Sequence, residues 1–470
     1  MCNGKSLRSR ASKVAAAAAL ALGVALGGQD AAAQVAVGAA GPPPLTRELA
    51  VATFDTAWTW IARSHYDSLF NGVDWDAVRT ELRPRAERAA TMDELRGVVS
   101  TMLARLGESH YVLIPGQVAD AIEPGDVEPE AGAPGDVGLE VRLAGGGLVV
   151  WRVDADGPAA AAGIRTGWIL DAIDGQPAAA GVDGVEALDG IERQRALTRF
   201  LMRTNQRLTG AAGSRVALKL RDGADRTVES TLVRRDTPGQ SIQLGNLPAM
   251  IARVESARLA VDDGCVGVVR WNVWMVPVAP QIDRAIDASR DCRGIVLDLR
   301  GNPGGVAGML IGVAGHFFAE PTTLGRLRSR TADLRFNANP RRVAPDGRPV
   351  QPYDGPVAIL QDALSVSTSE LFAGGMQATG RARIFGETSA GQALPAVASR
   401  LPNHDVLMYV VADATGPGGE RFEGTGVRPD QDVPLRREDL LAGRDAALDA
   451  AIDWILRQRV GTVPRSKERP

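Results

Sequence analysis

Lysine is nearly missing from this chain. Among 53 basic residues it supplies only Lys5, Lys13, Lys219 and Lys467, so arginine carries almost all of the positive charge. The long interval between Lys219 and Lys467 therefore excludes any chemistry there that needs a side-chain amine as a proton acceptor. Histidine is scarce too, and with four in the chain, His65, His110, His316 and His404, each can be weighed singly. Neither sign of charge dominates: a formal net charge of -3 gives no argument for nucleic acid or an anionic membrane as partner. Cysteine is confined to Cys2, Cys265 and Cys292, and beyond the first stretch no apolar run approaches the length of a membrane span.

What is present begins with Lys5, Arg8, Arg10 and Lys13, an unbroken small-apolar run over 14–26, and Ala31-Ala32-Ala33 before Gln34. A basic start, a short apolar stretch and small residues at its end lay out an export signal over 1–33. A membrane anchor is the competing reading, and Cys2, which precedes the apolar run, does not read as a lipid-attachment site. The mature chain is expected in the periplasm or outside the cell, without stable membrane insertion. There Cys265 and Cys292, each two residues before an apolar run, would each open a strand. Parallel neighbouring strands would set the sulfurs side by side for a disulfide, and two buried free thiols remain the alternative.

An Ala/Gly/Pro-rich linker is expected over 34–45, and helical spacing of Phe54, Trp58 and Ile61 starts a helical N-terminal domain over 46–118. It ends at Gly107-Glu108-Ser109-His110-Tyr111, where Gly107 stops a helix and leaves Ser109 and His110 on the exit loop. An acidic linker follows over 119–133. Short β-like runs over 135–235 contain Gly157-Pro158-Ala159, Gly163-Ile164, Gly167-Trp168-Ile169-Leu170 and Ile173-Asp174-Gly175, and this stretch resembles a PDZ domain of the bacterial protease type. That resemblance implies capture of an extended peptide tail as an added strand, with Gly138, Leu139 and Val141 as the binding loop. Glu140 departs from the hydrophobic loop pattern, and 178–210 reads as an insertion.

From 246 to 460 strands and helices alternate: a strand at 265–271, a helix at 279–289, a strand at 294–299, the turn Arg300-Gly301-Asn302-Pro303-Gly304-Gly305 and an apolar helix at 306–318. This βαβ series implies a largely parallel sheet with ligands at the strand C-termini. A surface loop is expected over 329–352, a last helix over 444–459, and a tail over 461–470. The apolar run 357–360 leads to Ser365, Ser367 and Ser369 at the start of another helix. Serines there are ordinary helix caps, but the same place suits a nucleophile whose product is an oxyanion.

Asp298-Leu299-Arg300-Gly301-Asn302-Pro303-Gly304-Gly305, Ser367-Thr368-Ser369-Glu370, Gly386-Glu387-Thr388 with Gly391, and Glu423-Gly424-Thr425-Gly426 together resemble the tail-specific, or carboxy-terminal processing, serine proteases and their tricorn-core relatives. The resemblance implies a multidomain α/β protein: a crotonase-like (ClpP/crotonase) βαβ protease core, a PDZ-like β domain and a helical N-terminal domain. It implies Ser367 as nucleophile and the backbone N–H groups of Gly304 and Thr368 as oxyanion hole. The processing branch activates its serine with a lysine at the position of Gln392, which has no basic nitrogen. The tricorn-type branch uses histidine, and Ser109-His110 stands at the matching place, with Glu423 as the acid that completes a tetrad.

Glu370 and Glu387 compete locally for that acidic role but read as structural. Gln392 is expected to position substrate. His65 sits among aromatics, His316 in an apolar helix and His404 in a turn. The expected activity is hydrolysis of protein or peptide bonds with no cofactor and no metal ion. A non-catalytic periplasmic PDZ-containing binding or scaffold protein is the alternative. An isomerase or hydratase on the same core would leave the PDZ-like stretch unexplained.

Overall fold

The computed structural model describes residues 44–117, 133–188, 190–243, 245–246 and 250–458. The expected export signal, most of both linkers and the tail lie outside the described residues.

Three helices, Arg47–Ser64, Trp75–Glu87 and Met92–Ala104, open the chain. Each begins at a capping side chain, Thr46, Asp74 or Thr91, that accepts the N–H of the third residue on. Their apolar faces meet through Phe54, Ile61, Leu82, Leu95 and Met102, all fully buried and each worth about 1.5–3 kcal/mol of transfer free energy. This cluster is closed by Leu401 and Leu407, which come from the far end of the chain. The strand Val112–Ile114 then joins Val406–Val410 antiparallel, and Val406–Val410 pairs Ala396–Arg400. The N-terminal helices are thus built onto a hairpin of the core.

A second sheet runs in the order Leu139–Ala144, Gly147–Val153, Ile169–Ile173, Arg215–Arg221 and Thr227–Val233. The stretch read as an insertion is corrected here. Its main element is the helix Gly190–Arg207, whose Phe200 and Leu201 belong to the apolar core of this sheet.

The main sheet is ordered Val254–Val261, Gly264–Trp271, Gly294–Asp298, Val357–Gln361, Arg383–Gly386 and Gln431–Asp432. Only the first pair is antiparallel; the other four pairings are parallel. Gly294–Asp298 and Val357–Gln361 are buried on both faces, as expected of continuous apolar runs in a parallel sheet. One face packs on Ala279–Asp287 and Thr368–Ala378, the other on Ala446–Arg457. Cys265 and Cys292 form a disulfide with Cα atoms 4.7 Å apart, at the starts of two parallel strands.

Two sequence expectations need correction. The helix expected over 306–318 is only Met309–Ala314, because the Val306 N–H is drawn to Trp274 O at 2.7 Å instead of into a helix. The loop expected over 329–352 contains the strand Asp333–Ala338, which pairs Thr322–Arg328 across a turn at Ser329.

Candidate active site

The strand Val357–Gln361 delivers a tight turn to the helix Thr368–Ala378. Asp362 organises that turn: its carboxylate accepts from Leu364 N–H (3.0 Å), Gly301 N–H (2.9 Å) and Arg142 Nε (2.8 Å). Ser365 donates to Leu299 O (2.9 Å) and Ser369 to Asn302 O (3.1 Å), so these two serines knit the turn to the glycine loop. Ser367 differs from both. It sits at φ 57°, ψ -116°, a conformation that costs a non-glycine residue of order 1–3 kcal/mol. It is also the one residue from Gln361 to Met376 that is half-buried rather than buried. The Glu370 carboxylate reaches back to the Ser367 N–H (2.9 Å), and the Ser367 side chain faces the Glu370 N–H in the reciprocal arrangement of a capping box.

Glu370 is buried and accepts from four donors. Besides Ser367 N–H these are Gln392 N–H (2.9 Å), Gly391 N–H (2.7 Å) and Ser389 Oγ (2.7 Å). Burial pushes its pKa up to about 7, against the pull of those donors. Glu370 therefore acts as the internal frame of the Ser367 turn.

Gly304 lies against this turn with φ 95°; a Cβ there would fall 2.7 Å from Ser367 Cβ and 3.0 Å from Thr368 N, so only glycine fits. Its N–H donates to Asn302 Oδ1 (2.9 Å). Among the described residues the N–H groups of Thr368, at the helix start, and of Gly305 have no acceptor. Two free donors near a nucleophile at a helix N-terminus can receive a developing oxyanion.

The second half of the site is on the loop after the N-terminal helices. Glu423 accepts from Ser109 N–H (3.0 Å), Ser109 Oγ (2.8 Å), Ala393 N–H (2.9 Å) and Arg195 (2.6 Å). Ser109 Oγ lies 2.7 Å from His110 Nδ1. The serine proton is committed to the carboxylate, which can only accept, so Nδ1 must be the protonated nitrogen and donate to Ser109 Oγ. That assignment leaves the lone pair on Nε2. Burial lowers the His110 pKa, Glu423 opposes this and Arg195 adds to it, so the ring is held neutral.

The two halves meet over a short piece of backbone. Ala393 binds Glu423, and the neighbouring Gln392 carbonyl accepts the Ser367 N–H at 3.0 Å. Among the described residues no hydrogen bond joins His110 to Ser367. Gln392 Nε2 is buried with no partner.

Residues 265–433 match peptidase family S41, and residues 52–104 match the tricorn protease C1 domain. The core segment is thus that of an S41 peptidase. The chain is a serine-type peptidase that acts on protein or peptide substrates. It is 25% identical over 384 residues to a carboxyl-terminal-processing protease of Picosynechococcus sp., covering 80% of this chain and 82% of that protein. It is 26% identical to tricorn protease homolog 1 of Streptomyces coelicolor, covering 83% of this chain and 34% of that protein. The fold matches the photosystem II D1 C-terminal processing protease, with TM-score 0.54 and 22% identity, over 86% of this chain and 96% of that one. Mature CPAF matches with TM-score 0.55 and 13% identity, over 87% and 96%.

Of the PDZ-like residues in the S41 chain, Leu139 and Val141 are buried in their sheet, and the Gly138 N–H donates to Asp136 Oδ1 (2.8 Å). Val141 N–H and O are both taken by the Asn205 side chain, at 2.9 and 3.1 Å. Glu140 lies among Arg270, Arg142 and Arg152, which hold its pKa down against burial. His65 is buried against Glu108 (3.0 Å) and His316 against Asp283 (2.9 Å), both in structural roles. Sequence reading missed Arg195; the signal available was a row of arginines at four-residue spacing, Arg195, Arg199, Arg203 and Arg207.

Proposed function

We propose that this S41 peptidase is an exported endopeptidase of the Ser-His type, forming an acyl-enzyme on Ser367 with His110 as base. The observation that carries this reading is the Glu423–Ser109–His110 hydrogen-bond series, which fixes the tautomer with Nε2 unprotonated. The absence of any lysine between Lys219 and Lys467 supports it from the other side. In the reaction His110 Nε2 takes the Ser367 proton as Oγ attacks the scissile carbonyl. The oxyanion is received by Thr368 N–H together with Gly305 N–H; the expected Gly304 N–H is instead held by Asn302 Oδ1, and Gly304 serves by its lack of a side chain. The imidazolium, stabilised through Ser109 by Glu423, returns its proton to the leaving amine, and water hydrolyses the ester by the reverse relay. Gln392, with its amide nitrogen buried and unpartnered, donates to the substrate backbone.

The Cys265–Cys292 disulfide supports an oxidising compartment, hence export. In the PDZ-like region a peptide tail adds along Leu139–Ala144 once Asn205 releases Val141.

The test is labelling by a fluorophosphonate followed by peptide mapping, with casein hydrolysis in parallel. Label is expected on Ser367, absent in Ser367→Ala, and strongly reduced in His110→Ala. Undiminished labelling of Ser367→Ala would sink the assignment, and casein left intact by the parent enzyme would favour a binding protein instead.

A further inference from the structure

The helix Gly190–Arg207 runs between the two places where a substrate is held. Its first turns sit at the site: Gln194 Nε2 donates to Ser389 O (3.3 Å), Arg195 pairs with Glu423, and Ile191 packs beside Gly391. Its last turn sits at the PDZ-like strand, where Asn205 holds Val141. The inward face is fixed, with Thr198, Leu201 and Thr204 buried and Thr198 bonded to Ala363 O (3.1 Å). Beyond Arg195, which is turned in to Glu423, the outward face carries Arg199 and Arg203 at successive four-residue steps.

Most arginines near the site are neutralised: Arg142 by Asp362, Arg253 by Asp154, Arg300 by Asp298 and Asp445. Arg199 and Arg203 are exposed and have no acidic partner among the described residues. Partial burial and the like charges of Arg203 and Arg195 lower the Arg199 pKa, and Glu192 offsets this only in part. An anionic ligand would relieve that repulsion.

We propose that this arginine row is a rail for an acidic stretch of the substrate, lying between the part held at the PDZ-like strand and the scissile bond. The inference rests on the peptidase reading above and specifies its substrate class. Four residues of helix advance about 6 Å, and two residues of an extended chain advance about 6.6 Å. Acidic side chains at alternate positions of an extended peptide therefore match Arg199 and Arg203 one to one. The rail favours substrates with Asp or Glu at every second position.

The experiment uses the full Ser367→Ala chain, so that binding is read without hydrolysis. Two fluorescent peptides are compared by anisotropy, identical except for Asp or Asn at three alternate positions. The acidic peptide is expected to bind about three- to tenfold more tightly, the yield of two exposed ion pairs, with the preference shrinking as salt rises. Arg199→Gln with Arg203→Gln is expected to abolish the preference and leave the Asn peptide's Kd unchanged. A preference that survives the double substitution overturns the proposal. So does equal binding of both peptides by the parent; if neutralising Asp120, Glu123, Asp126, Glu128 and Glu130 then created a preference, the occupant would be the chain's own acidic linker. Failure of the peptidase reading is seen separately, as loss of fluorophosphonate labelling in the unsubstituted enzyme.

Discussion

The base role proposed for His110 rests on the direction of two hydrogen bonds. Because the Ser109 proton points to Glu423, the imidazole must spend its own proton on Ser109 Oγ, and the free lone pair faces away from both. The neighbouring charges make opposite predictions for pH. If His110 is the base, its neutral form is the active one and kcat/KM is expected to rise with pH through its pKa, which burial sets below the usual value near ~6.5. Arg195→Gln removes a charge that lowers this pKa, so the acid limb moves to higher pH. Glu423→Gln removes a charge that raises it, so the acid limb moves to lower pH, while kcat falls about a hundredfold or more for want of a counter-charge to the imidazolium. Shifts of the same sign in the two variants, measured as kcat/KM against pH, would contradict this arrangement.

The residue types were legible in the sequence: a serine between two structural serines, a Ser-His pair on a helix exit, a glutamate before a glycine run. Their hydrogen-bond sense was not, because it depends on atoms from three distant segments.

At the scale of elements, the largely parallel sheet was legible from apolar runs separated by helical periods, while the strand order was not. The disulfide, left open against two free thiols, was decided by the structure, in which two strands opening with cysteine become neighbours once the helix Ala279–Asp287 crosses between them. Closing a loop with sequence separation 27 stabilises by about 3.5 kcal/mol. Replacing both cysteines by alanine is expected to lower the urea unfolding free energy by about that amount. Activity without denaturant is expected to persist, because the bond lies at strand starts and Ser367 follows a strand end. The helix Gly190–Arg207 was the element least visible beforehand. Its apolar residues are few among many arginines, and its meaning lies in what its two ends touch.

For the whole molecule, the small sheet of Val112–Ile114, Val406–Val410 and Ala396–Arg400 fixes one half of the site against the other. No sequence pattern announced it, since a three-residue strand carries almost no periodic signal and its partner is remote. Its anchor is Asp405, fully buried, which accepts from Arg96 (2.9 and 2.8 Å), Gly116 N–H (2.8 Å) and Asn403 (2.8 Å). Asp405→Ala strands these donors and is expected to cost about 2–4 kcal/mol. In hydrogen exchange, amides of Val112–Ile114 should then open before those of Gly294–Asp298; simultaneous opening would show that the small sheet is not a separate stability unit.

That sheet also sets the order in which the enzyme can come alive. During synthesis the N-terminal helices emerge first, yet Leu401, Leu407 and the strand that completes their sheet are still unmade. On the Ser-His reading the growing chain therefore carries the proposed proton acceptor before the proposed nucleophile, together with a half-finished apolar cluster. Peptide-cleaving power is accordingly expected only after the hairpin Ala396–Arg400 and Val406–Val410 has been added.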